Sequence, residues 1–222
     1  MPGNLEKKIG YTFSDPSLLE KALTHSSAGN KECDNERMEF LGDRVLGLSV
    51  ADLLLACFPE EKEGSLAKRH AGFVQQKDLV FVARALGLAD HLKLSAGEMK
   101  SGGRMKEKIL SDAVEALIGA IYLDGGFGAA HDFVKKFWGE RLRLQTSPPE
   151  DAKSRLQEWA QANAFPLPEY RLAGKSGTDH APMFEIEVFV TGAGKATAAA
   201  ASKRAAEKAA ALKMLQKIGI EI

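Results

Sequence analysis

Asn35-Glu36-Arg37-Met38-Glu39-Phe40-Leu41-Gly42-Asp43 opens a stretch that stays free of proline until Pro59. It reads as one helix from near Glu36 to Phe58. At about 100° per residue, Glu36, Glu39 and Asp43 fall within an arc of about 60°, while Met38, Leu41, Val45 and Leu48 gather on another side. A second segment, Ser111-Asp112-Ala113-Val114-Glu115-Ala116-Leu117-Ile118, repeats the arrangement in miniature. Asp112 and Glu115, three apart, share one face among apolar neighbours.

Carboxylates in such company need a partner, because an unpaired buried charge is costly and like charges raise each other's pKa. Two acidic faces brought together would form an all-oxygen site of the kind that Mg²⁺ or Mn²⁺ takes. The same spacing also fits a solvated helix face, with Arg37, Arg44 and Lys108 taking up the charge. Spacing alone leaves both readings open.

Outward from this helix, the first part of the chain is helical almost throughout. Asp15-Pro16 is a helix start, an acceptor at the N-cap followed by a proline whose missing donor costs nothing there. Leu66 to Leu86 and Glu107 to Tyr122 read as further helices. The latter stops at Asp124-Gly125-Gly126, and a last helix runs from Gly128 to about Leu144. Thr146-Ser147-Pro148-Pro149 is too stiff and polar for a core and marks a boundary. Beyond it the period changes. Ala152 to Ala162 is helical, Glu169 to Leu172 and Phe184 to Val190 read as strands, and Gly192 and Gly194 turn the chain into a third. Ser202 to Ile218 is an alanine-rich helix. The fold expected is therefore an all-α domain over residues 1–146, a linker over 147–150, and an α-β-β-β-α domain over 151–220.

Thirty basic and thirty acidic side chains cancel, so bulk charge does not hold this chain to a polyanion. Local clustering remains: Lys195, Lys203, Arg204, Lys208, Lys213 and Lys217 face only Glu207 between residues 195 and 217. Cys33 and Cys57 have neither metal-knuckle spacing nor a disulfide framework, which implies a reduced, cytoplasmic setting. No basic-then-apolar leader is evident, and the apolar run Val45 to Phe58, interrupted by Asp52, is too short for a bilayer. No membrane role is expected.

The segment from Asn35 to Asp43 closely resembles the signature of the ribonuclease III family. Leu23-Thr24-His25-Ser26, Glu98-Met99-Lys100-Ser101-Gly102-Gly103 and the segment from Ser111 to Ala120 support it. The resemblance extends over nearly the whole chain. It implies a nuclease domain followed by a double-stranded-RNA-binding domain. Glu39, Asp43, Asp112 and Glu115 match the family's acidic cluster around Mg²⁺, with Mn²⁺ able to substitute. Glu39, Asp112 and Glu115 would be direct ligands, and Asp43 and Glu115 most closely tied to hydrolysis. Glu36 and Glu63 match peripheral carboxylates of an outer site. Phe40 resembles an aromatic plug entering a socket on the second subunit of a homodimer; an ordinary core phenylalanine is the alternative. His25, without a cysteine or histidine partner, reads as a structural hydrogen-bonding residue.

In the second domain, Ser154-Arg155-Leu156-Gln157-Glu158-Trp159, Pro168-Glu169-Tyr170 and the helix opening at Ser202-Lys203-Arg204 carry the resemblance. Gln157, Glu158 and His180 would contact minor grooves, and Lys203, Arg204 and Lys208 the phosphates between them. A solvated helix face is the plain alternative for that basic trio. Trp159, Phe184, Ile186, Leu212 and Leu215 read as core. One departure stands out. Ala198 to Ala201 precede Ser202 where the family often has glycine and serine, so the last helix is expected to begin early or its loop to pack differently. The resemblance implies Mg²⁺-dependent endonucleolytic cleavage of double-stranded RNA to 5′-phosphate and 3′-hydroxyl ends with a two-nucleotide 3′ overhang. Precursor ribosomal RNA and messenger RNA are the implied substrates.

Overall fold

The computed structural model describes residues 2–28, 34–148, 151–178 and 181–220. The chain divides between Pro148 and Pro149 into two compact units.

The first unit is all helix: α1 (Pro2–Ile9), α2 (Pro16–Ala22), α3 (Glu36–Cys57), α4 (Glu63–Phe73), α5 (Gln76–Leu86), α6 (Ala96–Lys100) and α7 (Glu107–Leu144), with short 3-10 turns between. Asp15 caps α2 as expected, accepting from the Ser17 amide at 2.9 Å. The core is built around α7. Val114, Ala116, Leu117, Ile118, Ala120 and Ile121 are all fully buried, covered by Leu46 and Val50 of α3 and by Val82 and Ala83 of α5. By length and composition alone α7 is long and apolar enough to cross a membrane. Its apolar face is the core of the unit instead.

Two helix limits show what the pattern could and could not convey. Gly126 (φ 75°, ψ −175°) interrupts α7, at the glycine pair where a stop was expected. Beside it, the Asp124 carboxylate accepts from the Tyr11 hydroxyl at 2.7 Å and from the Ser14 and Asp15 amides at 2.8 and 2.9 Å. The stretch read as one helix from Leu66 to Leu86 is two helices, broken at Val74 and Gln75. Gln75 is extended, and the break lets Asp78 turn inward in the first turn of α5, where it is buried against Arg141. No proline marks that break, and Gly72 lies inside the last turn of α4 rather than at the break itself.

The second unit is α8 (Ala152–Ala162), β1 (Glu169–Thr178), β2 (Ala181–Val190), β3 (Gly194–Ala200) and α9 (Lys203–Lys217). The sheet is antiparallel in the order β1-β2-β3, with Tyr170 opposite Val188 and Ile186 opposite Ala198. Ile186, Val188 and Val190 alternate inward against Leu156 and Ala160 of α8 and Ala206, Ala210, Met214 and Leu215 of α9. Leu212, expected in this core, is exposed; Ala211 and Met214 occupy the inward arc of α9 instead. The last helix does not begin early. Ala198, Ala199 and Ala200 pair with β2, and Ser202, extended, accepts from the Ala205 amide at 3.2 Å to cap α9. Strand pairing overrides the helix preference of alanine there.

Candidate functional site

The acidic faces of α3 and α7 meet because the two backbones touch. A methyl on Gly42 would lie 1.7 Å from the Glu115 carbonyl oxygen, and one on Gly119 would lie 2.3 Å from the Met38 carbonyl oxygen. Only hydrogen fits at either place. A glycine inside a helix costs about 1 kcal/mol relative to alanine, so two at one crossing need a packing reason. Here the reason is to bring Glu39 beside Asp112 and Glu115. One carboxylate oxygen from each of these three lies within 4.8 Å of the others.

The three acids line an open cavity of about 540 Å³ together with Glu36, Asp43, Phe40, Arg44, Lys108 and His25. Burial, then the charges of Asp43, Glu39 and Asp112, push the Glu115 carboxyl up to about 7. Burial and the neighbouring Asp112 also raise Glu39. Two cations offset part of the charge. The Arg44 Nη1 donates to Asp43 at 2.5 Å, and the Lys108 ammonium donates to both Asp112 oxygens at 2.9 Å. The solvated-face reading is thus right about Arg44 and Lys108 as counter-charges, but it leaves Glu115 strongly perturbed. Three converging carboxylates with oxygen-only donors fit a hard divalent cation.

The remaining residues singled out from the sequence are scattered around this centre. Glu36 is exposed at the rim of the cavity. Glu63 is exposed in the first turn of α4 and does not line it. Phe40 is 64% exposed, with the Arg44 guanidinium 4.2 Å from its ring centre, so it is not a core residue of its own unit. His25 Nδ1 accepts from the Ser27 amide at 3.1 Å, a turn-closing role, although its ring also borders the cavity. The crossing glycines were missed by sequence reasoning. Their signal was present, since Gly42 interrupts an otherwise good helix former and sits between two of the acids.

In the second unit, Gln157, Arg204 and Lys208 line one groove of about 570 Å³ between α8 and the start of α9. Glu158 is exposed on α8, and Lys203 is exposed in the first turn of α9. Arg204 is exposed in the same turn, where free main-chain amides add to the positive field. His180 lies outside the described residues. The basic run does not form a single patch. Lys213 donates to the Thr197 carbonyl at 3.0 Å, and Lys217 to those of Ala193 and Lys195 at 3.0 and 3.2 Å, so both cap the edge strand β3. Lys195 pairs with Glu187 at 3.2 Å. Of the run, Arg204 and Lys208, in its middle, line the groove.

The family described as ribonuclease-III-like matches residues 15–142, and the double-stranded RNA binding motif matches residues 152–218. "Ribonuclease 3" of Cereibacter sphaeroides is 47% identical over 214 residues, covering 96% of this chain and 93% of that protein. The protein of the same name from Caulobacter vibrioides is 47% identical over 221 residues, covering 98% and 96%. Among solved structures, the nuclease domain of a Campylobacter jejuni ribonuclease III, described as flexible in a region involved in dimer formation, is 42% identical. Its TM-score is 0.58, with 66% of this chain and 98% of that one covered. With the acidic crossing on one unit and the two-layer α-β-β-β-α fold on the other, these matches place the chain in the ribonuclease III family of double-stranded-RNA endonucleases.

Proposed function

We propose that the first unit cuts both strands of an RNA duplex, using Mg²⁺ held by Glu39, Asp112 and Glu115, with Mn²⁺ able to substitute. The observation that carries this reading is the convergence of these three carboxylates, beside Asp43, at the Gly42–Gly119 crossing. The cation supplies Lewis acidity toward a phosphoryl oxygen and lowers the pKa of water in its shell. The protein's own part is positional. Glu115, pushed up to about 7 by burial and by the charges of Asp43, Glu39 and Asp112, is the carboxyl whose ionised form a divalent cation would stabilise most. Asp43, tethered by Arg44, stands at the open side of the cluster, where it can orient a water.

Each subunit of a homodimer contributes one such site. The exposed Phe40 ring would enter the partner subunit, and Glu36 and Glu63 would serve an outer site. Two offset cuts leave 5′-phosphate and 3′-hydroxyl ends with a two-nucleotide 3′ overhang. In the second unit, Gln157, Glu158 and His180 would read minor grooves, with Lys203, Arg204 and Lys208 on phosphates; such domains recognise A-form shape rather than sequence. Precursor ribosomal RNA and structured messenger RNA in the cytoplasm are the substrates this reading assigns.

Incubating the protein with an end-labelled RNA duplex, with Mg²⁺ or with EDTA, tests it. Cleavage should need the cation and leave ligatable 5′-phosphates. Cutting that persists in EDTA, or in an Asp112→Asn variant, would overturn the metal-centre reading.

A further inference from the structure

Lys108 stands in the first turn of α7, four residues before Asp112, and helix energetics do not recommend it there. The positive end of the helix dipole disfavours a cation in that turn, and lysine preceding its carboxylate is the poorer orientation for an i,i+4 pair. What holds it is the acidic cluster. The ammonium lies 2.9 Å from both Asp112 oxygens and 4.0 Å from Glu39 Oε1, while the side chain as a whole is 75% exposed. Arg44, the other basic residue of the cavity, is committed twice over, to Asp43 and to the face of Phe40. Lys108 has carboxylates on one side, solvent on the other, and a flexible four-carbon stem between. A divalent ion held by Glu39, Asp112 and Glu115 must use oxygens that this ammonium already claims.

We propose that Lys108 is a displaceable internal counter-ion: it holds Asp112 and Glu39 together when no divalent cation is bound, and gives way toward solvent when one arrives. The inference rests on the metal-centre reading above. It makes the lysine a competitor, so the apparent affinity for the ion falls by the cost of displacing the ammonium. In exchange, the cluster does not fly apart between loading events, because its repulsion is always partly met. The position thereby sets the cation concentration at which the enzyme loads, without any contact to RNA being required.

The test is Mn²⁺ titration by calorimetry, with thermal melting in EDTA and in saturating Mn²⁺, on the full chain carrying Lys108→Met, Lys108→Arg or Asp112→Asn. Removing one charge at this distance near solvent should make Lys108→Met bind Mn²⁺ on the order of tenfold more tightly. That variant should melt earlier than the parent in EDTA and recover in Mn²⁺. Lys108→Arg, which keeps the charge, should melt like the parent in EDTA. Unchanged or weaker Mn²⁺ binding by Lys108→Met would overturn the counter-ion role, as would an early melt that Mn²⁺ does not restore. If Asp112→Asn leaves Mn²⁺ binding intact, the metal-centre reading itself fails. If Asp112→Asn abolishes binding while Lys108→Met leaves it unchanged, only the counter-ion is lost.

Discussion

Replacing Gly42 with alanine should damage the active centre without touching any acid in it. The added methyl would sit 1.7 Å from the Glu115 carbonyl oxygen, 2.6 Å from its carbon and 2.9 Å from the Gly119 nitrogen, all main-chain atoms that cannot rotate aside. Restoring ordinary contact requires α3 and α7 to part by roughly 1.5 Å or more. Overpacking of this kind costs about 1–3 kcal/mol, against which alanine returns up to about 1 kcal/mol of helix preference. With that offset taken in full, the net loss of up to about 2 kcal/mol should lower the melting temperature of a unit this size by up to about 8 °C. Activity should suffer far more. Glu39 and Asp43 ride on one helix and Asp112 and Glu115 on the other, and a displacement of about 1 Å between reacting groups can cost on the order of 100-fold in rate. Gly47→Ala is the control on the same helix, since its methyl would lie 3.7 Å from the His70 ring, an ordinary contact. It should cleave normally and melt no lower than the parent. Single-turnover cleavage of a duplex beside melting curves decides. A Gly42→Ala protein with parental melting and parental rate would refute the claim that backbone contact sets the acid spacing.

Three further outcomes are expected. Glu115, whose carboxyl is raised in the folded protein, contributes stability that is full below its unfolded value near 4.5 and is lost as pH rises through about 7. In EDTA the first unit should therefore melt lower at pH 8 than at pH 5; Mn²⁺ or Glu115→Gln should flatten that slope, and a slope unaffected by either would contradict the cause assigned. Arg204→Ala or Lys208→Ala should reduce the salt slope of duplex binding by about one. Lys217→Ala should leave that slope alone and lower the melting temperature of the second unit; equal salt effects would show that the strand-capping lysine also binds phosphate. Phe40→Ala should leave thermal stability within about 0.5 kcal/mol, as for exposed side chains. If its ring fills a socket on a second subunit, dimer dissociation should rise by about two to three powers of ten, readable by sedimentation across dilutions.

The legible part of this fold is what local spacing dictates. A 3.6-residue period put Glu36, Glu39 and Asp43 on one face, the glycine pair at 125–126 announced the break in α7, and period-two alternation found β2. The acids themselves could be read, but their meeting could not, because it depends on which two glycines touch across the core. The break at Gln75 was hidden for a similar reason: what favours it is a buried pair, Asp78 with Arg141, sixty-three residues apart. The basic run near the C-terminal helix misled in the opposite direction. Lysines look alike in sequence, and whether one meets a phosphate or the carbonyls of a neighbouring strand is decided only by the packing of α9 on β3. Ala198 to Ala200 misled because helix preference is weak beside a completed strand pairing.

The apolar character of α7 has a consequence for how the protein is made. Of all the described helices it is the one that, laid bare, most resembles a membrane segment, and a chaperone or a bilayer would meet it as such. Yet the elements that bury it, α2, α3 and α5, all precede it in the chain. Synthesis runs from the N-terminus at about 5–20 residues per second, slowly compared with helix formation. By the time residue 121 leaves the ribosome, the surface that will cover Ile118 and Ile121 has already been outside for several seconds. The stickiest helix is therefore the last of its unit to be delivered, onto waiting partners. A circular permutant that places α7 first would lose that protection, and would be expected to yield mostly insoluble protein although every contact of the finished fold is available to it.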